Sequence, residues 1–180
     1  LRPNMQMIFQ DISTAFNPRM PVGEIISEPL EIRGADRIEQ KERLEEVISS
    51  TGISPRLLDK YPHQLSTGQK QRAGIARALI LKPRLIVADE PVSHLDISIQ
   101  AQILNLLMEL KEQHGLSYLF VAHDLEVVKL IANRVAVMYL GKIVETASSE
   151  AIFTEPEHPY TKALLASRNK RREKLYLRGE

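Results

Sequence analysis

The chain has 180 residues, of which 43% are hydrophobic and 26% charged. That is ordinary globular usage, and it excludes a wholly disordered or collagen-like chain. Lys and Arg number 24 against 23 Asp and Glu, so the net charge of +1 argues against a bulk polyanion binder. With no Cys, a disulfide framework, a thiolate metal site and a Cys nucleophile are all excluded, in keeping with a reducing compartment.

The length suits about one domain, or one with a small appendage, at roughly 100–200 residues per domain. No apolar run approaches the ~20 residues of a membrane span. No basic segment followed by an apolar stretch opens the chain, so no secretory signal is expected. The first residue is Leu rather than Met, which leaves a processed start or a fragment open. Charge is uneven. Residues 168–180 hold six basic and two acidic groups, a pattern usual for a solvated helix or loop.

Residues 5–9 read as a short buried strand ending at Gln10. Residues 11–35 read as irregular, with Pro18, Pro21, Pro29, Gly23 and Gly34 as breakers. Asp36 followed by Glu39 resembles a capping box. It opens a helix in which Ile38, Leu44, Val47 and Ile48 share a face. After Gly52, Pro55 and Pro62, a second helix is expected over 67–81. Residues 85–88 (LIVA) are a continuous apolar run, as in a strand covered on both faces. Ile99, Ile103, Leu106, Leu107 and Leu110 form one helical stripe. Residues 117–122 read as another buried strand, 125–132 as a helix and 134–140 as a third strand, with a tight turn at Gly141-Lys142. Strands alternating with helices imply a mostly parallel sheet.

Four stretches carry chemistry. The LIVA run ends in Asp89 and Glu90. In open α/β sheets, ligands sit beyond the carboxyl ends of the strands. One carboxylate there can hold Mg²⁺ while the other orients a water, the two needs of phosphoryl transfer. A buried strand followed by a solvated acidic turn fits the same residues. The second stretch, residues 65–69 (LSTGQ), enters a helix. The Ser66 hydroxyl and the Gly68 amide at such a terminus can reach phosphate oxygens. An ordinary Ser N-cap also fits. His123 ends the strand SYLFVA, where it can bond a terminal phosphate or serve structure alone. Gln10 also ends a strand and can ligate Mg²⁺ or position water, or be a surface amide.

Order and spacing join them. Gln10, LSTGQ with Gln-Arg after it, LIVADEP, SHLD at 93–96 and then His123 resemble an ATP-binding cassette (ABC) ATPase from about Met5 to Leu165. The fold the resemblance implies is α/β: the C-terminal part of a P-loop NTPase, with a mostly parallel sheet and an α-helical subdomain. It implies that residues 1–16 end the catalytic core strand and carry the Q-loop, and that 17–80 are the helical subdomain with the signature motif. Residues 81–150 would be the RecA-like subdomain, and 151–180 a C-terminal extension with the basic tail.

The same resemblance implies the site. Glu90 and His123 would be catalytic, as the carboxylate polarising water and the switch histidine. Asp89 and Gln10 would hold Mg²⁺. Ser66, Gly68, Gln69, Gln10 and Asp96 would contact ATP, the signature residues doing so on a partner's nucleotide. FQDISTAFNPRM (9–20) and EPEHPYTKALL (155–165) are similar to the oligopeptide, dipeptide and nickel branch of ABC importers. That branch implies an ATP-hydrolysing subunit on the cytoplasmic face of the membrane. Its partners are permease subunits, a second ATPase subunit and, indirectly, an extracytoplasmic solute-binding protein; no nucleic acid is expected. A catalytically dead remnant acting through partners, or a non-transport ABC ATPase acting on nucleic acid, are the alternatives.

Two departures stand out. Thr67 occupies a position where the family's signature usually has Gly. No G-x-x-x-x-G-K-[ST] motif exists in these 180 residues, the sole Gly-Lys pair being Gly141-Lys142. The chain is therefore expected to be the C-terminal part of such an ATPase, with little or no ATP hydrolysis by itself.

Overall fold

A computed structural model of the chain describes residues 4–176, with side chains described for all of these but residues 13 and 168–176. The basic segment anticipated at 168–180 lies outside the described side chains. The chain divides into two units, one up to Ala122 and one from His123 onward.

The first unit contains β1 (Met5–Ile8), α1 (Ile12–Ala15), α2 (Val22–Arg33), α3 (Arg37–Thr51), two 3₁₀ turns, α4 (Thr67–Leu79), β2 (Leu85–Asp89), α5 (Ile97–His114) and β3 (Ser117–Val121). The three strands form a parallel sheet in the order β1-β2-β3, with Ile8 opposite Ala88 and Asp89 opposite Val121. Because side chains alternate along a strand, Ile8, Ile86 and Ala88 share the covered face and are buried. The helix α4 is the hub, packing against β1, α1, α2, α3 and α5.

Several expectations are corrected here. Residues 11–35 are not irregular but hold α1 and α2. Val22, Ile25, Ile26 and Leu30 recur at helical spacing and are buried, and that stripe outweighs the one hydrogen bond Pro29 forfeits. Gly34, at φ 82°, ends α2, and the Ala35 N–H returns to the Leu30 carbonyl at 3.0 Å. Asp36 caps α3 by accepting from the N–H groups of Ile38 and Glu39, each at 2.9 Å. The Glu39 carboxylate pairs with Arg33 instead of completing a reciprocal box. Ile38 is 72% exposed, because only the C-terminal half of α3 presents a buried face, at Val47, Ile48 and Thr51. The helix expected to reach residue 81 ends at Leu79, with Lys82 turning to φ 52°.

The buried strands anticipated at 5–9 and 117–122 are covered on one face only, because side chains alternate between faces: Met5, Met7 and Phe9 are exposed, as are Leu119 at 57% and Val121 at 46%, while Leu85 and Val87 on β2 are half-buried. Tyr118, on the covered face, donates its hydroxyl to the Leu107 carbonyl at 3.1 Å, and burial pushes its pKa up.

The second unit holds α6 (Leu125–Ile131), β4 (Arg134–Tyr139), β5 (Lys142–Ser148), α7 (Ser149–Thr154) and α8 (Pro159–Tyr176). The strand anticipated at 134–140 does form, but it pairs antiparallel with β5 rather than in the parallel sheet. Its two-residue link explains this, since parallel neighbours need a long crossover. Leu140 and Gly141 take φ values of 48° and 77°, as a tight hairpin turn demands. The Glu145 carboxylate on β5 accepts from the N–H groups of Glu157 at 2.8 Å and His158 at 3.1 Å, fastening the chain ahead of α8. The Tyr139 ring lies 4.2 Å from that of Tyr160.

Candidate functional site

The parallel register of β1 and β2 delivers Gln10, Asp89 and Glu90 to one edge of the sheet. A cleft of about 260 Å³ opens there, lined by Gln10, Asp11, Thr67, Lys70, Glu90 and His94 among others. Gln10 Nε2 donates to Glu90 Oε2 at 3.2 Å, joining two residues 80 positions apart. It also lies 3.5 Å from His94 Nε2. A carboxylate only accepts, so Glu90 fixes which end of the Gln10 amide faces it.

Glu90 has an unusual backbone. Its φ is 43°, in the left-handed region that non-glycine residues avoid, and Pro91 follows it. The turn is held at several points. The Glu90 N–H donates to the Val121 carbonyl at 3.0 Å, and the Ser93 N–H and hydroxyl donate to the Glu90 carbonyl at 3.2 and 3.1 Å. Gln71 Nε2 donates to the Pro91 carbonyl at 2.6 Å. Strain of this kind persists where the surroundings over-determine it, and it clusters at functional sites.

The signature stretch is built as a helix start. Ser66 Oγ accepts from the Gln69 N–H at 3.3 Å, and Gln69 Oε1 accepts from the Ser66 N–H at 2.9 Å. This is a complete capping box. Leu65 is buried beneath it, while Ser66 and Thr67 are exposed, Thr67 toward the cleft. Gly68 is half-buried against α5, where a Cβ would meet Ile99 Cγ2 at 3.0 Å. Asp96 is the N-cap of α5. Hydrogen bonds from the Ile99 N–H and the Ser98 hydroxyl hold its carboxyl below the usual range. Both stabilise the charged form. His123 is exposed and stands in the second unit, immediately before Asp124, the N-cap of α6.

Gln10, Glu90 and Thr67 thus come together in one cleft, while Ser66, Gln69 and Asp96 serve helix caps. Asp89 ends β2, half-buried. The carboxylate of Asp89 and the amide oxygen of Gln10 are hard oxygen donors of the kind Mg²⁺ prefers. Among the described residues no group of three or more His, Cys, Asp or Glu converges as a metal cage.

Gln71 and His94 lie within motifs the sequence displays, but the sequence assigns neither a part in the site. Gln71 left a legible sign. It falls at helical spacing with Ile75 and Ala78 on the buried side of α4, a polar residue in an apolar stripe. The meeting of His94 with Gln10 left no sign, because it spans 84 positions.

The sequence profile of the ABC transporter family matches residues 1–93. The oligopeptide transport ATP-binding protein OppF of Escherichia coli is 52% identical over 169 residues, covering 93% of this chain and 51% of that protein. The dipeptide transport ATP-binding protein DppF of Haemophilus influenzae is 49% identical over 187 residues, covering 99% and 57%. The chain spans about half the length of the curated relatives it matches. Among solved structures, cbiO1 from Clostridium perfringens, part of the ABC transporter complex cbiONQ, superimposes with a TM-score of 0.77. The match is at 29% identity over 86% of this chain and 61% of that one.

Proposed function

The chain belongs to the ABC transporter family, and from that premise we propose that it acts as part of an ATP-hydrolysing subunit that powers uptake of oligopeptides or dipeptides. The observation that carries the chemistry is the Gln10–Glu90 hydrogen bond at the carboxyl edge of β1 and β2, with Glu90 held in a strained turn. In this reading Glu90 polarises the attacking water by accepting a hydrogen bond from it, and Gln10 and Asp89 hold Mg²⁺. The metal, when bound, supplies neutralisation of charge developing on the phosphate. His123 contacts the terminal phosphate. Ser66 and Gly68 face a partner subunit's nucleotide, with Gln69 and Asp96 supporting those loops as caps.

The phosphate cradle has to come from sequence other than these 180 residues, which hold no G-x-x-x-x-G-K-[ST] motif. A permease partner is supported by the relatives, which are transport ATP-binding proteins, and by cbiO1, which is part of an ABC transporter complex. Among the described residues no helix is long and apolar enough to cross a membrane.

The test is a chimaera. Residues 1–180 are joined in register behind the P-loop-bearing half of E. coli OppF and expressed in a strain lacking that protein. Oligopeptide uptake and ATP turnover are expected, and Glu90→Gln is expected to bind ATP while losing turnover by about a hundredfold or more. A chimaera that folds and binds ATP, yet turns over normally with Glu90→Gln, would refute the assignment.

A further inference from the structure

We infer that Gln71 is a positioning residue for the Glu90 carboxylate, tying the Glu90-Pro91 turn to the signature helix α4. This rests on the reading of Glu90 given above. The Glu90 backbone is costly twice over, being left-handed at φ 43° and followed by proline. Such a turn keeps its shape only if its polar groups are held. Its N–H is held by β3 through the Val121 carbonyl, and its carbonyl by Ser93 within the same turn. The next carbonyl, that of Pro91, is held from a different element, by Gln71 Nε2 at 2.6 Å.

Gln71 is well suited to this. It is 5% exposed, so its hydrogen bond faces little competition from water. It lies on α4 five residues after Ser66, so it belongs to the rigid body that begins at the signature capping box. Pro91 has no N–H, and Gln71 therefore addresses the carbonyl side of the turn. A displacement of α4 at the signature end would reach Glu90 through one short bond. The same bond places Gln71 beside Glu90 and Gln10 in the wall of the cleft.

The test uses Gln71→Met, which keeps length and volume and removes the donor. Isotope-labelled protein comprising residues 1–180 gives the first readout. In the wild type, Glu90 is expected to show the strong intraresidue amide-to-Hα Overhauser effect of a positive φ, and one Gln71 side-chain amide proton is expected to exchange slowly. In Gln71→Met the Glu90 signature is expected to fade while the α4 amides keep their shifts. The chimaera described above gives the second readout. Gln71→Met is expected to lower kcat about ten- to a hundredfold with the KM for ATP nearly unchanged, the mark of misplacement rather than lost binding.

A fast-exchanging Gln71 amide in the wild type would overturn the inference without any variant having to fold. So would Gln71→Met that retains both the Glu90 signature and full kcat. If Glu90→Gln leaves turnover intact, the reading of Glu90 fails instead. If Glu90→Gln abolishes turnover and Gln71→Met does not change it, only the role of Gln71 fails.

Discussion

Gly74 sits in the middle of α4, directly beneath α1, and Gly74→Ala measures how tightly that contact is set. A Cβ at Gly74 would stand 2.4 Å from Ile12 Cδ1, 3.1 Å from Cγ1 and 3.3 Å from Cγ2. Relaxed carbon pairs sit at about 3.5–4.0 Å. Ile12 is 5% exposed and hemmed in, so it cannot simply swing into solvent. Overpacking of this kind costs about 1–3 kcal/mol. Against it stands the helix preference of Ala over Gly, about 1 kcal/mol. The net expectation is a loss of about 0–2 kcal/mol. Ile12→Val removes the Cδ1 that makes the worst contact and alone costs about 0.5–1.5 kcal/mol. Once Ile12→Val is in place, adding Gly74→Ala should be neutral or stabilising, a coupling of about 1–2 kcal/mol. Urea unfolding followed by circular dichroism, with midpoints compared at constant slope, measures all four corners of the cycle. Strict additivity, or a gain of the full ~1 kcal/mol from Gly74→Ala alone, would refute the packing argument. Ile12 also lies two residues past Gln10, so a displaced α1 should disturb the Gln10–Glu90 bond and lower turnover in the chimaera.

Ser66→Ala should destabilise by about 1 kcal/mol through loss of the capping box, and Ser66→Asp should restore the cap. If Ser66 also faces a partner's phosphate, Ser66→Asp should be stable by thermal melting yet poor in ATP turnover. Arg43 bonds the Ile80 carbonyl through Nε at 3.1 Å and Nη2 at 2.8 Å, at the C-terminal end of α4. Arg43→Met should cost about 1.5–3 kcal/mol in urea unfolding, and a value near zero would mean that water replaces it. Asp96 has its folded pKa lowered by bonds to the charged form. Its contribution is therefore complete above the unfolded value of about 3.9 and lost as pH falls through the lower folded value. Asp96→Asn caps without titrating, so its melting temperature relative to wild type should be flat above about pH 5 and should rise below about pH 4. A difference that stays constant down to about pH 2 would contradict this.

Much of the first unit is legible in the chain because its determinants are local. The LIVA run, the Ser66-to-Gln69 cap and the stripe from Ile103 to Leu110 each lie within one element, where a few neighbouring residues decide the outcome. The ordered motifs likewise point to the family, because each is a short run of neighbouring residues. The same locality explains the failures. Proline and glycine between 18 and 34 suggested irregular chain, but the partners that bury Val22, Ile25 and Leu30 are far away in sequence, and burial outweighs one lost hydrogen bond. An apolar strand cannot announce whether one face or two will be covered, so Leu119 and Val121 read as buried and are not. The site divides in the same way. The candidates for the chemistry can be picked from the chain, since carboxylates, amides and hydroxyls are recognisable wherever they fall. How they are held follows from packing: Gln10 across to Glu90, Glu90 forced into a left-handed turn, and Gln71 reaching from α4 to the Pro91 carbonyl. Those contacts join residues 80 and 20 positions apart, and no local pattern encodes a distance that the packing of helices on a sheet creates.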